Sequence, residues 1–221
     1  LHHYKRCKKY KKIINNLKFK IKNKNKLEDF PMLPVRIFKK FDLKSVSEDK
    51  IVKKLVSSGT SGQELSKIYL DKKNASDQVR VLGKIMSTIL GNKRLPMIII
   101  DQDPKTLGKP IFNARAAAIY GFSIFGTKHC YLLDGESKID YASLNNFLKM
   151  YGKDKFLIFG FTSIVYENLI QKLSINLIET NFQNGILIHG GGWKKMKKLK
   201  LNNTIFKEKL IKKINLNKVY N

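Results

Sequence analysis

Three apolar runs constrain this chain more than anything else in it: PMIIID at 96–101, FLIFGF at 156–161 and GILIHGGG at 185–192. Each places apolar residues at consecutive positions rather than alternate ones. A strand built that way must be covered on both faces, which is the condition of a parallel sheet between helices. Helical spacing fills the intervals. ARAAAIYGF precedes the strand-like HCYLLDG; Tyr141, Leu144, Phe147 and Leu148 share a helical face; TSIVYENLIQKL follows FLIFGF. Strand alternating with helix predicts an α/β fold, a layered and largely parallel sheet with helices on both faces.

The part before these runs reads differently. Residues 1–30 predict a basic helical arm, one amphipathic helix or two short ones, with Tyr4, Tyr10, Ile13, Ile14 and Leu17 available for one face. Pro31 and Pro34 then interrupt helix formation, because each lacks a backbone donor and restricts the residue before it. FPMLPVRIF is therefore expected to be an extended connector into the main body, residues 31–221. SKIYLD alternates polar and apolar residues and predicts a short strand. Asn74 or Ser76 can cap a following helix with Val79, Leu82, Ile85, Met86 and Ile89 on one face, and Gly91 sits where that helix should stop.

The formal net charge of +27 invites a nucleic-acid reading. Arginine argues against it: only Arg6, Arg36, Arg80, Arg94 and Arg115 are present, whereas base and phosphate readers favour the planar guanidinium fork. The lysines gather near the two ends, where solvated helix faces account for them; an anionic partner surface is the other reading. Cys7 and Cys130 are too few and too far apart for a disulfide framework or a metal cluster. No apolar run is long enough for a membrane span and no signal peptide is visible. A cytoplasmic protein without membrane insertion is expected.

One segment stands apart from this lysine-rich background. From Ser57 to Gln63 the sequence SSGTSGQ carries no charge at all. Gly59 and Gly62 permit positive φ and close approach of a ligand to the main chain. The hydroxyl neighbours add short donors beside a row of backbone N–H groups, which together make a concavity for oxyanions. The spacing is neither that of the Walker loop nor Gly-x-Gly-x-x-Gly, and a simple surface turn has the same composition.

SSGTSGQ resembles the phosphate loop of the adenylate-forming superfamily, Ser-Ser-Gly-Thr-Thr-Gly. Together with LPVRIFKKFDLKSVSEDKI, KRLPMIIID, GFSIFG, HCYLLDG, FGFTSIVYENL and NGILIHGGGWKK in this order, it resembles the LuxE-type acyl-protein synthetases, relatives of phenylacetate–CoA ligase. The resemblance implies the large N-terminal domain of such an enzyme and a two-step ligase reaction. A fatty acid is activated by ATP and Mg²⁺ to an acyl-adenylate, and the acyl group passes to a protein cysteine thiol and on to an acyl reductase partner. It also implies roles for particular positions. Ser57, Ser58, Gly59, Thr60, Ser61 and Gly62 would hold the β- and γ-phosphates. Lys67 stands two residues later than the superfamily's lysine, so a phosphate role and an ordinary strand lysine both remain open. His189, Gly190, Gly191 and Gly192 would line the adenine and acyl site, as the carboxyl edge of a parallel sheet also suggests. Arg115, Gly121 and Phe122 have the texture of an acyl slot, with Arg115 a candidate for carboxylate or phosphate contact; core packing explains the same residues.

The chain begins at Leu1 and ends at Asn221, and both ends are expected to be cuts. The resemblance puts the magnesium-site glutamate, the catalytic lysine and the acceptor cysteine beyond Asn221, so these 221 residues alone are expected at most to bind ATP weakly. Two competing readings stay open: an acyl–CoA ligase of the phenylacetate type, and a basic nucleic-acid-binding module, which would bind with a steep salt dependence.

Overall fold

The computed structural model describes residues 1–56, 64–105, 114–179, 181–192 and 201–221. They divide into two compact units, Leu1–Ile85 and Met86–Asn221.

In the first unit the basic arm forms two short helices, α1 (His2–Arg6) and α2 (Lys8–Asn16). Cys7 and Ile14 are buried while the lysines between them stay in solvent, as helical spacing requires. Pro31 and Pro34 lie outside regular structure, but the connector is not extended throughout: Ile37–Lys40 makes a helical turn, α3. The lysine-bearing run before the glycine segment is a strand, β1 (Ile51–Val56). It pairs antiparallel with β2 (Lys67–Asp71), so the hairpin brackets the glycine segment. Residues 57–63 themselves lie outside the described residues. The Tyr69 hydroxyl donates to Asp42 at 2.7 Å and so holds that carboxyl below its usual range.

Helix α4 (Lys72–Leu90) starts earlier than its sequence suggests. Its cap is Asp71, whose carboxylate accepts from the Asn74 backbone N–H at 2.8 Å; Asn74 is the donor, not the cap. The helix stops where expected. Gly91 adopts φ +81° and its N–H donates to the Ser87 carbonyl, a left-handed C-terminal cap suited to glycine. The expected apolar face is only partly realised: Met86 and Leu90 are buried, whereas Val79 and Ile85 are more than half exposed. The helix carries more apolar positions than its packing covers.

The second unit is the α/β body. Five parallel strands run in the order β4-β3-β5-β6-β7: β3 (Leu95–Ile99), β4 (Gly126–Tyr131), β5 (Phe156–Phe161), β6 (Gly185–Gly190) and β7 (Lys218–Tyr220). The connections are helical: α5 (Ala114–Ser123), α6 (Tyr141–Tyr151), α7 (Thr162–Val165) with a widened turn through Lys172, and α8 (Asn203–Ile214). Strand alternation then sorts the faces. Ile98, Ile100, Ile158 and Leu187 pack in one cluster with Leu144 and Phe147 of α6, Val165 of α7, and Phe206 and Leu210 of α8. On the opposite face the Phe122 ring of α5 stacks on Phe159 at 4.2 Å. Helices therefore cover both faces, as the unbroken apolar runs required.

The widened turn after α7 carries its own compensation. Asn168 Nδ2 donates to the Ile164 carbonyl at 2.9 Å, and Lys213 Nζ donates to the Ile170 carbonyl at 2.6 Å, satisfying backbone acceptors displaced from the usual ladder. Among the described residues, no helix is long and apolar enough to cross a membrane.

Candidate active site at the carboxyl edge of the sheet

The strand order reverses once. From β3 the chain goes outward to β4, returns across β3 to β5, and continues to β6 and β7 on the other side. In open parallel sheets such a reversal leaves a crevice beyond the carboxyl ends of the two central strands, here β3 and β5. The register shows what stands there. Ile99 pairs with Phe159 and Phe161 pairs with Gly190, so the ends of β3, β5 and β6 adjoin, and Asp101 follows β3 in a tight turn, its N–H donating to the Ile99 carbonyl at 2.8 Å. The Arg115 pairing puts Asp101 on the α5 face, and alternation puts Phe161 there with Phe159.

Asp101 is buried just past β3, and α5 brings Arg115 to it. Arg115 Nε donates to Oδ2 and Nη2 to Oδ1, each at 2.6 Å, and the Gln102 backbone N–H donates to Oδ1 at 2.8 Å. The carboxylate is thus matched on both oxygens, as a buried charge must be. Of the remaining sequence-predicted slot residues, Phe122 lies on Phe159, and Gly121 faces open space, with no atom within 4 Å of where a Cβ would stand.

Two strands further on, His189 is buried near the end of β6. Its Nδ1 lies 2.9 Å from the hydroxyl of Thr162, which begins α7, and 3.0 Å from Nδ2 of Asn221. Thr162 Oγ1 also lies 3.0 Å from the Gly190 carbonyl oxygen and 3.3 Å from that of Gly191. A neutral imidazole nitrogen either donates or accepts. With Nδ1 protonated it donates to Thr162 Oγ1; with Nδ1 bare it accepts from Asn221. With Nδ1 protonated, the single Thr162 proton is left for the Gly190 or Gly191 carbonyl and ties the strand exit to α7. Burial, and then the nearby Lys207 charge, push the His189 pKa down to about 4, so the ring is neutral at physiological pH. The Phe206 ring packs against it at 4.7 Å.

The glycines after His189 differ in what they need. Gly191 adopts φ +102°, where an L side chain is strained, and a Cβ there would touch the Phe161 ring at 3.4 Å. At Gly190 a Cβ would meet nothing within 4 Å among the described residues. Gly192 is exposed. The arrangement is a neutral, hydrogen-bonded shelf at the end of β6.

Lys67 opens β2 in the first unit, its Nζ 3.7 Å from Asp42 Oδ1. The predicted phosphate loop, Ser57, Ser58, Gly59, Thr60, Ser61 and Gly62, lies outside the described residues. Sequence reasoning missed Asp101, Thr162 and Asn221. Asp101 had a signal: an aspartate closing the run PMIII must find a cation once the strand is buried, and Arg115 is the only charge within ARAAAIYGF.

The fold defines an α/β protein whose parallel sheet reverses its strand order at β3 and β5, the place where open sheets of this kind bind ligands, and a class shared by many unrelated activities. The comparison of sequences is narrower. A family model described as "Acyl-protein synthetase, LuxE" matches residues 1–221, the whole chain, and the protein belongs to that family. No match was found among curated proteins.

Proposed function

We propose that the protein activates a fatty acid with ATP and passes the acyl group to a protein cysteine thiol. In the first step a carboxylate oxygen bonds to the α-phosphorus and pyrophosphate leaves. In the second a thiolate bonds to the acyl carbon and AMP leaves, the thiol proton going to solvent or a base. The observation that carries this reading is the family match over the whole chain. A carboxylate is a poor acyl donor until a good leaving group is attached, and phosphoryl transfer needs aligned donors more than covalent help from the protein.

In this reading Ser57–Gly62, with Lys67 as a possible addition, holds the phosphates. His189 and Gly190–Gly192 border the adenine and the acyl group. The lack of a side chain at Gly190 and the neutral state of His189 suit a flat uncharged base. Mg²⁺ belongs to the proposal as the counter-ion carried in by ATP, where it neutralises phosphate charge. An acyl reductase would receive the thioester.

The test is pyrophosphate exchange over a panel of fatty acids, followed by trapping of labelled acid on the protein as a hydroxylamine-sensitive thioester. Acid-dependent exchange and a labile label are expected. Exchange with none of the acids removes the ligase reading. Thr60→Val should depress exchange strongly with the fold intact; unchanged exchange would return residues 57–63 to a plain turn.

A further inference from the structure

The geometry of Asp101 and Arg115 assigns a carboxylate clasp to the crevice at the strand-order reversal: Asp101 is the positioning residue, and the outer edge of the Arg115 guanidinium binds the acid group of the substrate. The inference deepens the fatty-acid reading above and rests on it for the identity of the acid.

The pairing is side-on. Arg115 uses Nε–H and one N–H of Nη2 on Asp101, which leaves the two N–H of Nη1 and the second of Nη2 along the opposite edge of the fork. That edge has the spacing that grips a carboxylate or a phosphate with two parallel hydrogen bonds. The two partners are also unequally covered: the Asp101 side chain is 7% exposed and that of Arg115 is 47% exposed. Here the carboxylate is sunk and matched while the guanidinium reaches outward, stripped of rotameric freedom by the two bonds behind it. Preorganisation of that kind lowers the entropic cost of binding.

Location points to the same use. Through Asp101, Arg115 is held just past the end of β3, at the strand-order reversal where open parallel sheets bind ligands. On the same face Phe122, Phe159 and Phe161 follow one another, Phe122 on Phe159 at 4.2 Å and Phe159 to Phe161 at 6.3 Å. Phe159 is buried while Phe122 and Phe161 are partly exposed, and a fork on the same face as partly exposed rings matches an amphipathic acid. An oxyanion of ATP has the same hydrogen-bonding chemistry, so the experiment separates the two sources.

Octanoate, laurate and palmitate, and the methyl ester of each, are titrated into the protein by calorimetry, with ATP titrated separately. The wild-type protein is expected to prefer acid to ester by about tenfold or more, the worth of a charge-assisted bidentate contact. Arg115→Lys keeps a charge but loses the fork and should lose most of that preference. Arg115→Ala risks unfolding by stranding the buried carboxylate, so Arg115→Gln is combined with Asp101→Asn to keep the buried oxygens matched. This pair should bring the acid-to-ester ratio near one, with ester and ATP affinities unchanged. No acid preference in the wild type, or a ratio preserved in the double variant, overturns the clasp. ATP affinity falling while the ratio holds overturns the carboxylate assignment in favour of phosphate. Pyrophosphate exchange is scored separately: an intact clasp without exchange sinks the ligase reading alone, and exchange with an unchanged ratio in the variant sinks the clasp alone.

Discussion

The Thr162 hydroxyl stands 2.9 Å from Nδ1 of His189 and 3.0 Å from the carbonyl of Gly190, so one side chain at the start of α7 fixes both the ring and the turn that leaves β6. Thr162→Val keeps the shape and removes the proton. A buried acceptor or donor served by the hydroxyl then loses a partner in a dry setting, a loss of about 1–3 kcal/mol. Denaturant unfolding measures it; a variant as stable as wild type would mean the hydroxyl does not carry the turn.

The depressed His189 pKa makes stability depend on pH in one direction. The unfolded ring charges near its ordinary value of 6.5, the folded ring only near 4. The contribution is therefore complete above the unfolded value and is lost as pH falls towards the folded one. Between neutral pH and about pH 5 the loss amounts to about 2 kcal/mol. Urea midpoints across that range should fall for the wild type and fall less for His189→Gln. Parallel curves for the two proteins would show that His189 is not the titrating group.

Gly160 in β5 has no room for a methyl group. A Cβ would stand 2.7 Å from Val165 Cγ2 and 2.9 Å from Ile100 Cβ. Gly160→Ala should cost about 1–3 kcal/mol by overpacking, read as a lower melting temperature. Combined with Val165→Ala the two losses should add to less than their sum, because one of the two clashes is relieved. Strict additivity would count against the contact.

Cys130 is buried in β4, and burial, with a smaller effect of Asp140, pushes its thiol up to about 11. Only about one thiol in ten thousand would be ionised near neutral pH. Iodoacetamide should leave Cys130 unmodified in the native protein and react on unfolding, as mass spectrometry of the digest would show. Rapid native labelling would show that the thiol is neither buried nor held protonated.

The sheet and its flanking helices were legible in the sequence because burial on both faces forces unbroken apolar runs. PMIIID, FLIFGF and GILIHGGG became β3, β5 and β6, and Leu144, Phe147 and Leu148 turned inward together on α6. Gly91 was legible too, since a left-handed cap favours glycine wherever it occurs. His189 could be placed at a strand end, but nothing local in the sequence announced its partners. Thr162 and Asn221 lie 27 and 32 positions away from it, and only the pairing of β5, β6 and β7 brings them to one level.

By itself, then, the sequence determined which segments of the α/β body must be strands and helices, because periodicity and backbone chemistry act over a few residues. Tertiary structure alone decided that β3 lies between β4 and β5, and hence where the crevice opens. It also decided that Arg115 turns one edge to a buried aspartate and the other outward. Those outcomes depend on strand order and on packing between distant positions, for which no short stretch of sequence carries a code.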